Sequence, residues 1–150
     1  MTTTTDGITK QITLRAAPAR VWRAISNARE FATWFGVELR DELAPGATVR
    51  GTVRYQGKEV PLTFHIERME PERLLAFRWH PFAVDPAIDY SREPMTLVEM
   101  TIAPAADGTL LTVTETGFDQ IPAARRAKAF EMNEGGWAAQ LENIARHVHA

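Results

Sequence analysis

Glu115 is the side chain of this sequence with the clearest potential for chemistry. It shares strand parity with Leu111 and Val113 in a segment where apolar and polar residues alternate, so it should point to the same side as they do. A buried carboxylate without a partner is costly, and Glu115 must therefore find a partner, take up a proton, or meet water or a ligand. Two interpretations stay open. In the first, a β-bulge or the nearby Gly117 turns Glu115 outward, or an arginine pairs it as a structural tie; in the second, it points inward as a polar anchor for a ligand.

Asn133 is the second residue whose type and spacing suggest chemistry. It follows Phe130 by three positions and precedes Trp137 by four, so its amide, with Glu134 beside it, interrupts the apolar stripe of a predicted helix. These polar groups could complement Glu115 across a cavity. The predicted site therefore lies where the C-terminal helix meets the last strand.

The glycine pair 135–136, which follows these polar residues, also needs a reason. Each glycine inside a helix costs about 1 kcal/mol relative to alanine. We expect the pair to permit close packing, with a helix kink or a ligand-gating hinge as the alternatives.

The histidines offer no recognisable metal site. His65, His80, His147 and His149 lack the His-Glu-x-x-His spacing, and no cysteine is present to supply a thiolate. His65 and His80 are out of register with their apolar neighbours, so they should meet solvent or a loop. The Gly-x-Ser-x-Gly elbow and the glycine-rich nucleotide-binding loops are absent as well. We therefore predict no metal, no cofactor and no catalytic residue.

A sheet and a long helix are needed to position these residues. Hydrophobic periodicity and turn residues predict a strand, two short helices, an antiparallel meander and a C-terminal helix. The predicted elements are a strand at 8–14, a helix from Pro18 to Ile25, a helix through Phe31 and Phe35 ending at Gly36, strands at 37–43, 48–55, 60–69, 73–80, 97–103 and 110–117, and a helix at 122–149.

The segment from His80 to Thr96 is the longest predicted stretch without regular structure. It carries three of the nine prolines, together with Phe82 and Tyr90. Loops of this length are commonly functional, so we predict a lid that uses these two aromatic residues. The alternative is a mobile surface excursion.

Apolar rows on the predicted strands should face the long helix and line an internal cavity. An ordinary close-packed core is the alternative for any one of these residues. The predicted lining, with its polar end at the glutamate and the asparagine, consists of Trp34, Phe64, Phe77, Trp79, Met100, Val113, Glu115, Phe130, Asn133 and Trp137.

Composition limits the class of protein. A chain of 150 residues predicts one domain, 1–150, in which residues 1–7 should be flexible. The formal charge of -2, with interleaved signs, argues against nucleic acid as a partner. No stretch approaches the roughly 20 apolar residues of a membrane span, so membrane insertion is not expected. The absence of cysteine and of a visible signal sequence favours a cytoplasmic location.

Four short segments carry a resemblance to a known family. In their order and spacing they make the chain resemble the START-like SRPBCC superfamily, specifically bacterial proteins related to the C-terminal domain of the heat-shock protein 90 ATPase activator. The resemblance implies an α+β helix-grip fold, in which six or seven curved antiparallel strands surround the C-terminal helix and enclose a cavity. The segments are Ala17-Pro18-Ala19-Arg20-Val21-Trp22, Leu74-Leu75-Ala76-Phe77-Arg78-Trp79, Thr114-Glu115-Thr116-Gly117-Phe118 and Gly135-Gly136-Trp137-Ala138-Ala139-Gln140-Leu141.

Three functions are compatible with this resemblance. The leading one is binding of a small apolar or amphipathic molecule or lipid in the cavity. The second is an enzyme of the aromatase/cyclase type, in which Glu115 and Asn133 would supply acid/base or oxyanion help to a polyketide-like substrate. The third is co-chaperone activity, which ranks last because the chain lacks the separate N-terminal domain of eukaryotic relatives. A homodimer is a further partner to be considered.

Overall fold

Antiparallel pairing joins the strands of the computed structural model, which describes residues 7–149, into one sheet. The described part contains seven strands, three α-helices and one 3-10 turn. Their bounds are β1 Gly7–Leu14, α1 Pro18–Ser26, α2 Ala28–Phe35, β2 Glu38–Leu39, β3 Thr48–Tyr55, β4 Lys58–Glu70, β5 Leu74–Trp79, β6 Thr96–Ala105, β7 Gly108–Thr116, the turn Phe118–Gln120, and α3 Ala123–His149.

The strand order in the sheet is β1-β7-β6-β5-β4-β3-β2, and each neighbouring pair is antiparallel. The N-terminal strand β1 therefore forms one edge of the sheet beside β7, and α3 follows β7 after the 3-10 turn. This arrangement confirms the predicted α+β helix-grip fold. The expectation of flexibility for residues 1–7 falls outside the described residues except at Gly7, which is paired with Thr116 as the first residue of β1.

Local sequence explains the two short helices that precede the meander. Pro18 occupies the first position of α1, where its missing N–H is not needed. The Asn27 side chain caps α2 by accepting a hydrogen bond from the Glu30 N–H at 3.0 Å. Gly36 ends α2 in the left-handed conformation with φ 83°, as predicted from the sequence.

The strand predicted at 37–43 is wrong in length, because β2 contains only Glu38 and Leu39. Beyond Leu39 the Asp41 side chain takes over the pairing and accepts from the Arg50 backbone N–H at 2.9 Å and from its guanidinium at 3.1 Å. A Cβ at Gly51 would lie 2.0 Å from the Glu38 carbonyl oxygen, so glycine is what allows β2 to approach β3.

One face of the sheet is buried against the helices, as the alternating apolar rows predicted. Helix α3 contributes buried side chains at helical spacing to this core, including Trp137, Leu141 and Ile144. The rows at 60–66, 98–102 and 111–113 are buried on alternate residues, whereas all four residues of 74–77 in β5 are buried; Leu62 and Trp79 are only partly covered. Burial is therefore lighter on the β4–β5 side of the sheet.

Glu30 joins α1, α2 and the end of α3. Its carboxylate lies 2.7 Å from the Arg20 guanidinium, 2.7 Å from that of Arg23 and 2.9 Å from His147 Nε2. Partial burial raises the pKa of Glu30, but the hydrogen bonds from His147 and Arg20 and the nearby positive charges outweigh it and hold the pKa below its usual value. The three helices are thus tied together at the end of the molecule away from the lid loop.

Candidate functional site

A pocket of about 650 Å³ lies between the β3–β4 hairpin, the middle of α3 and the loop of residues 80–95, which we call the lid loop. The wall is largely apolar, and it contains neither lysine nor arginine. Its residues are Phe35, Val37, Val53, Tyr55, Val60, Pro61, Leu62, Thr63, His65, Trp79, His80, Phe82, Ala83, Val84, Asp85, Pro86, Ile88, Asp89, Tyr90, Ser91, Asn133, Gly136, Trp137 and Gln140.

Three aromatic rings form the inner wall of the pocket. The ring centroids of Trp79 and Trp137 are 5.8 Å apart, and Phe35 lies 6.1 Å from the first and 5.9 Å from the second. Gln140 donates a hydrogen bond to the Phe35 carbonyl oxygen at 2.9 Å and so ties α2 to α3 beside these rings. Such spacings are those of favourable aromatic pairs, which keep the ring orientations fixed.

The outer wall belongs to the lid loop. Phe82 meets the Tyr55 ring edge to face at 5.7 Å, and its φ of 49° places a bulky residue in the left-handed region. Ile88, which also borders the pocket, is 50% exposed. The lid loop therefore covers the pocket with apolar side chains while its tip stays in solvent.

Glu115 lies directly behind the inner wall and is fully buried. One oxygen accepts from the Trp137 indole N–H at 2.8 Å and from the Asn133 amide at 2.9 Å. The other oxygen accepts from the Trp79 indole N–H at 2.7 Å and from the Thr96 hydroxyl at 2.5 Å. The carboxylate thus faces four donors and holds two elements of the pocket, β5 and α3, in one network.

This geometry bears on both interpretations of Glu115. The side chain points inward, and its hydrogen-bond partners are uncharged indole, amide and hydroxyl groups rather than an arginine. Four donors occupy the lone pairs that a carboxylate offers, so no acceptor position is left over for a ligand. Glu115 therefore acts on the pocket through the orientation of Trp79 and Trp137.

The lid loop is clasped by Arg125 in the first turn of α3. Its Nε donates to Glu93 at 2.8 Å, its Nη1 donates to the Pro81 carbonyl oxygen at 2.8 Å, and its guanidinium carbon lies 4.8 Å from the centre of the Tyr90 ring. The side chains of Arg125 and Glu93 are each only 18% exposed. A half-buried ion pair of this kind is stronger than an exposed one. The clasp therefore holds both ends of the lid loop against the helix.

The family model for Activator of Hsp90 ATPase homolog 1-like proteins matches residues 15–149. This chain belongs to that family. The match covers the short helices, the meander and α3, which are the elements that build the pocket. No curated protein matches the sequence at a significant level.

Solved structures share the fold of this family member. DynU16, a protein from the dynemicin biosynthetic locus, is 24% identical over 97% of this chain and 48% of its own chain, with a TM-score of 0.73. This chain thus spans about half the length of DynU16. Protein CV1439 from Chromobacterium violaceum is 20% identical over 98% and 99% of the two chains, with a TM-score of 0.76. The Aha1 dimer from Colwellia psychrerythraea is 13% identical over 95% of both, with a TM-score of 0.71. These likenesses show the fold alone.

Five of the predicted site residues of this activator-family protein border the pocket. Trp79, Asn133 and Trp137 lie on its inner wall, and Phe82 and Tyr90 lie on the lid loop, where the sequence placed them. Glu115 does not border the pocket, but it accepts hydrogen bonds from these three inner-wall residues. Ligand binding by these residues stays a prediction.

The remaining predicted lining residues lie in the packed core instead of on the pocket wall. The Phe64 and Phe77 rings stack at 4.6 Å, and the Trp34 indole N–H donates to the Ala24 carbonyl oxygen at 2.8 Å. Phe31 of α2 packs on Phe64 with ring centroids 5.6 Å apart, as expected for a close-packed core. The corrected residues are Trp34, Phe64, Phe77, Met100 and Val113, which are buried, and Phe130, which packs on Phe118 with ring centroids 5.2 Å apart.

Several pocket residues were not predicted as lining. Phe35 and Tyr55 border the pocket from the end of α2 and the end of β3. His65 and His80 were expected to meet solvent or a loop, and both lie on the wall, with His80 Nε2 3.0 Å from the Glu93 carbonyl oxygen of the lid loop. Phe35 and Tyr55 could have been predicted as lining, because each is an aromatic residue at the end of a helix or strand.

The glycine pair does not serve close packing, which corrects the sequence expectation. A Cβ built at either Gly135 or Gly136 would meet nothing within 4 Å. The two glycines differ in position, because Gly136 borders the pocket and Gly135 is not part of its wall. The absence of a side chain at Gly136 therefore leaves space on the pocket side of α3.

Removal of the Arg125 clasp is expected to loosen the lid loop. In Arg125→Gln the loop loses its ion pair and its carbonyl donor, so amide hydrogen exchange in residues 80–95 should accelerate about tenfold while amides of β6 and β7 keep their protection. Arg126→Gln is the matched control, because the Arg126 guanidinium donates a hydrogen bond to the nearby Ile121 carbonyl oxygen at 3.1 Å and not to the lid loop. Equal acceleration in both variants would show that the clasp does not hold the loop.

Proposed function

We propose that this chain binds a small apolar or amphipathic molecule in the pocket beneath the lid loop. The observation that carries the proposal is a largely apolar pocket of about 650 Å³ with six Phe, Tyr and Trp side chains on its wall, within the usual size range for small-molecule sites. Its few polar groups, among them Asn133, Gln140 and His80, could orient a bound molecule. The buried Glu115 network keeps the inner wall in place without a ligand.

An aromatase/cyclase type of enzyme is less well supported by the site. The acid/base role predicted for Glu115 would need it to exchange a proton with a substrate, but both of its oxygens already accept hydrogen bonds from protein donors. The oxyanion role is weakened as well, because the Asn133 amide donates to Glu115. The side chain also lies behind the indole rings rather than on the pocket wall. We therefore propose binding rather than catalysis.

Location and partners belong to the same proposal. The absence of cysteine supports a reducing, cytoplasmic environment. No helix in residues 7–149 is long and apolar enough to span a membrane. A second copy of the chain is a candidate partner because the structurally similar Aha1 protein from Colwellia psychrerythraea is a dimer. A chaperone partner stays a prediction that rests on the family resemblance.

Titration with N-phenylnaphthylamine tests the proposal. This uncharged probe fluoresces strongly in apolar surroundings, and we expect a saturable rise in emission at a stoichiometry of one probe per chain. Retention of the far-ultraviolet and near-ultraviolet circular dichroism spectra would exclude binding to unfolded protein. A rise that never saturates, or no rise at all, would argue against a binding pocket.

A further inference from the structure

The pocket wall carries carboxylates, and its basic side chains are two histidines. Asp85 and Asp89 of the lid loop lie on the wall, and the wall contains no lysine or arginine. Hydrogen bonds from the Ser91 side chain and backbone, together with the charge of His80, lower the pKa of Asp89 despite slight burial, so this carboxylate stays ionised at neutral pH. The Arg125 guanidinium, which clasps the lid loop, is paired with Glu93 and is not part of the wall.

A third negative charge lies behind the inner wall. Glu115 is fully buried, and each of its four hydrogen-bond donors belongs to an uncharged side chain. Because a charge inside a protein is screened far less than one in water, the field of this carboxylate reaches the pocket through the two indole rings. An acceptor at the indole N–H also increases the electron density of the ring, and the ring face is already the negative side of its quadrupole.

The two tryptophans therefore present unusually negative faces. Trp79 and Trp137 both donate their N–H groups to Glu115, at 2.7 and 2.8 Å, and their ring centroids are 5.8 Å apart. Phe35, Tyr55 and Phe82 add further rings to the wall. Aromatic faces of this kind attract cations, and a weakly hydrated cation loses least on leaving water.

We infer that the ligand carries a positive charge, in the form of a tertiary or quaternary ammonium group on an apolar body, and that this group lies against Trp79 and Trp137. The inference rests on the proposed function and names its ligand class. An anionic ligand, such as a fatty acid, would find neither lysine nor arginine on the wall and would be repelled by Asp85, Asp89 and Glu115. Charge complementarity thus separates two classes of amphipathic molecule.

Three probes of similar size test the inference by displacement of N-phenylnaphthylamine. Benzyltrimethylammonium is the cation, neopentylbenzene is its uncharged carbon isostere, and phenylacetate is the anion. We expect the cation to bind about tenfold more tightly than the isostere, and the anion to bind most weakly. Equal or tighter binding of neopentylbenzene or phenylacetate would overturn the inference and leave the proposed function intact. If none of the probes, including N-phenylnaphthylamine, binds, both proposals fail.

Charge-removing variants locate the source of the preference. Glu115→Gln should reduce the preference for the cation over the isostere to less than about threefold. The Glu115→Gln change also disturbs a buried network, so a second variant is needed. The double variant Asp85→Asn, Asp89→Asn removes two charges from exposed positions of the lid loop, and its preference for the cation should fall by about half. Glu131→Gln, an exposed position of α3, is the control and should leave the preference unchanged. An unaltered preference in both charge-removing variants would contradict the inference.

Discussion

Replacement of Glu115 by leucine is expected to cost about 3 kcal/mol of the free energy of unfolding, a large part of the stability of a single domain. Leucine has a similar volume, so no cavity is created, but the change removes the acceptor of four donors. The Thr96 hydroxyl and the Trp137 indole N–H are then left buried without partners, whereas Trp79 and Asn133 are partly within reach of water. Thermal denaturation should show a midpoint lowered by roughly 6–12 °C.

The control for this prediction is Glu99→Leu in β6. Glu99 lies between the buried residues Val98 and Met100, so strand alternation places its side chain on the opposite face of the sheet. The same substitution should change the free energy of unfolding by no more than about 0.5 kcal/mol there. If Glu115→Leu were neutral or stabilising, the network would contribute nothing that an apolar side chain could not replace, and the account of the inner wall would be wrong.

The second large effect is expected from Gly136→Leu. A side chain at this position meets no atom within 4 Å of its Cβ, and the position borders the pocket, so leucine should occupy pocket volume without strain. We expect binding of N-phenylnaphthylamine to be lost, by at least about 100-fold in affinity, since the probe and the leucine side chain compete for one space. The helix itself should gain up to about 1 kcal/mol from the removal of a glycine.

Gly135→Leu is the matched control on the neighbouring residue. Its Cβ also meets nothing within 4 Å, but the residue is not part of the pocket wall. The two variants should therefore gain similar stability, while only Gly136→Leu loses the probe. Equal affinities in the two variants would place the probe somewhere other than beneath the lid loop.

The buried network could be predicted in part from the sequence. Strand parity indicates the direction of Glu115, and helical spacing brings Asn133 to the same place, because both periodicities are fixed by backbone geometry. The indole partners were predicted only as apolar wall, since parity gives the direction of a side chain and not the rotation of its ring. Thr96, at the start of β6, carried no signal that it would point at the glutamate.

The position of the pocket could not be predicted from the apolar rows. Phe77 and Trp79 share one face of β5, but the first is fully buried in the core and the second borders the pocket. Which of them meets a helix depends on the curvature of the sheet and on where α3 crosses it. The path of the lid loop depends on the Arg125 clasp, which joins residues more than 30 positions apart and leaves no periodic pattern.

The length of β2 was overestimated for a similar reason. The segment 37–43 alternates as a strand should, but strand pairing with β3 ends at Leu39, and only one further backbone hydrogen bond follows, from the Arg40 N–H to the Arg50 carbonyl oxygen at 2.8 Å. Beyond that point the Asp41 carboxylate accepts hydrogen bonds from the Arg50 side chain and backbone, and these hydrogen bonds, with the charges of Arg50 and Arg40, lower the pKa of Asp41. A local side-chain contact of this kind competes with sheet pairing and cannot be read from alternation.

The indole signals of the four tryptophans test the central claim most directly. Trp79 and Trp137 border the pocket, whereas Trp22 lies on α1 and Trp34 is buried against Ala24. In a proton–nitrogen NMR correlation spectrum, addition of N-phenylnaphthylamine should shift the indole N–H signals of Trp79 and Trp137 and leave those of Trp22 and Trp34 in place. Shifts of all four signals alike, or of Trp22 and Trp34 alone, would contradict a binding pocket beneath the lid loop.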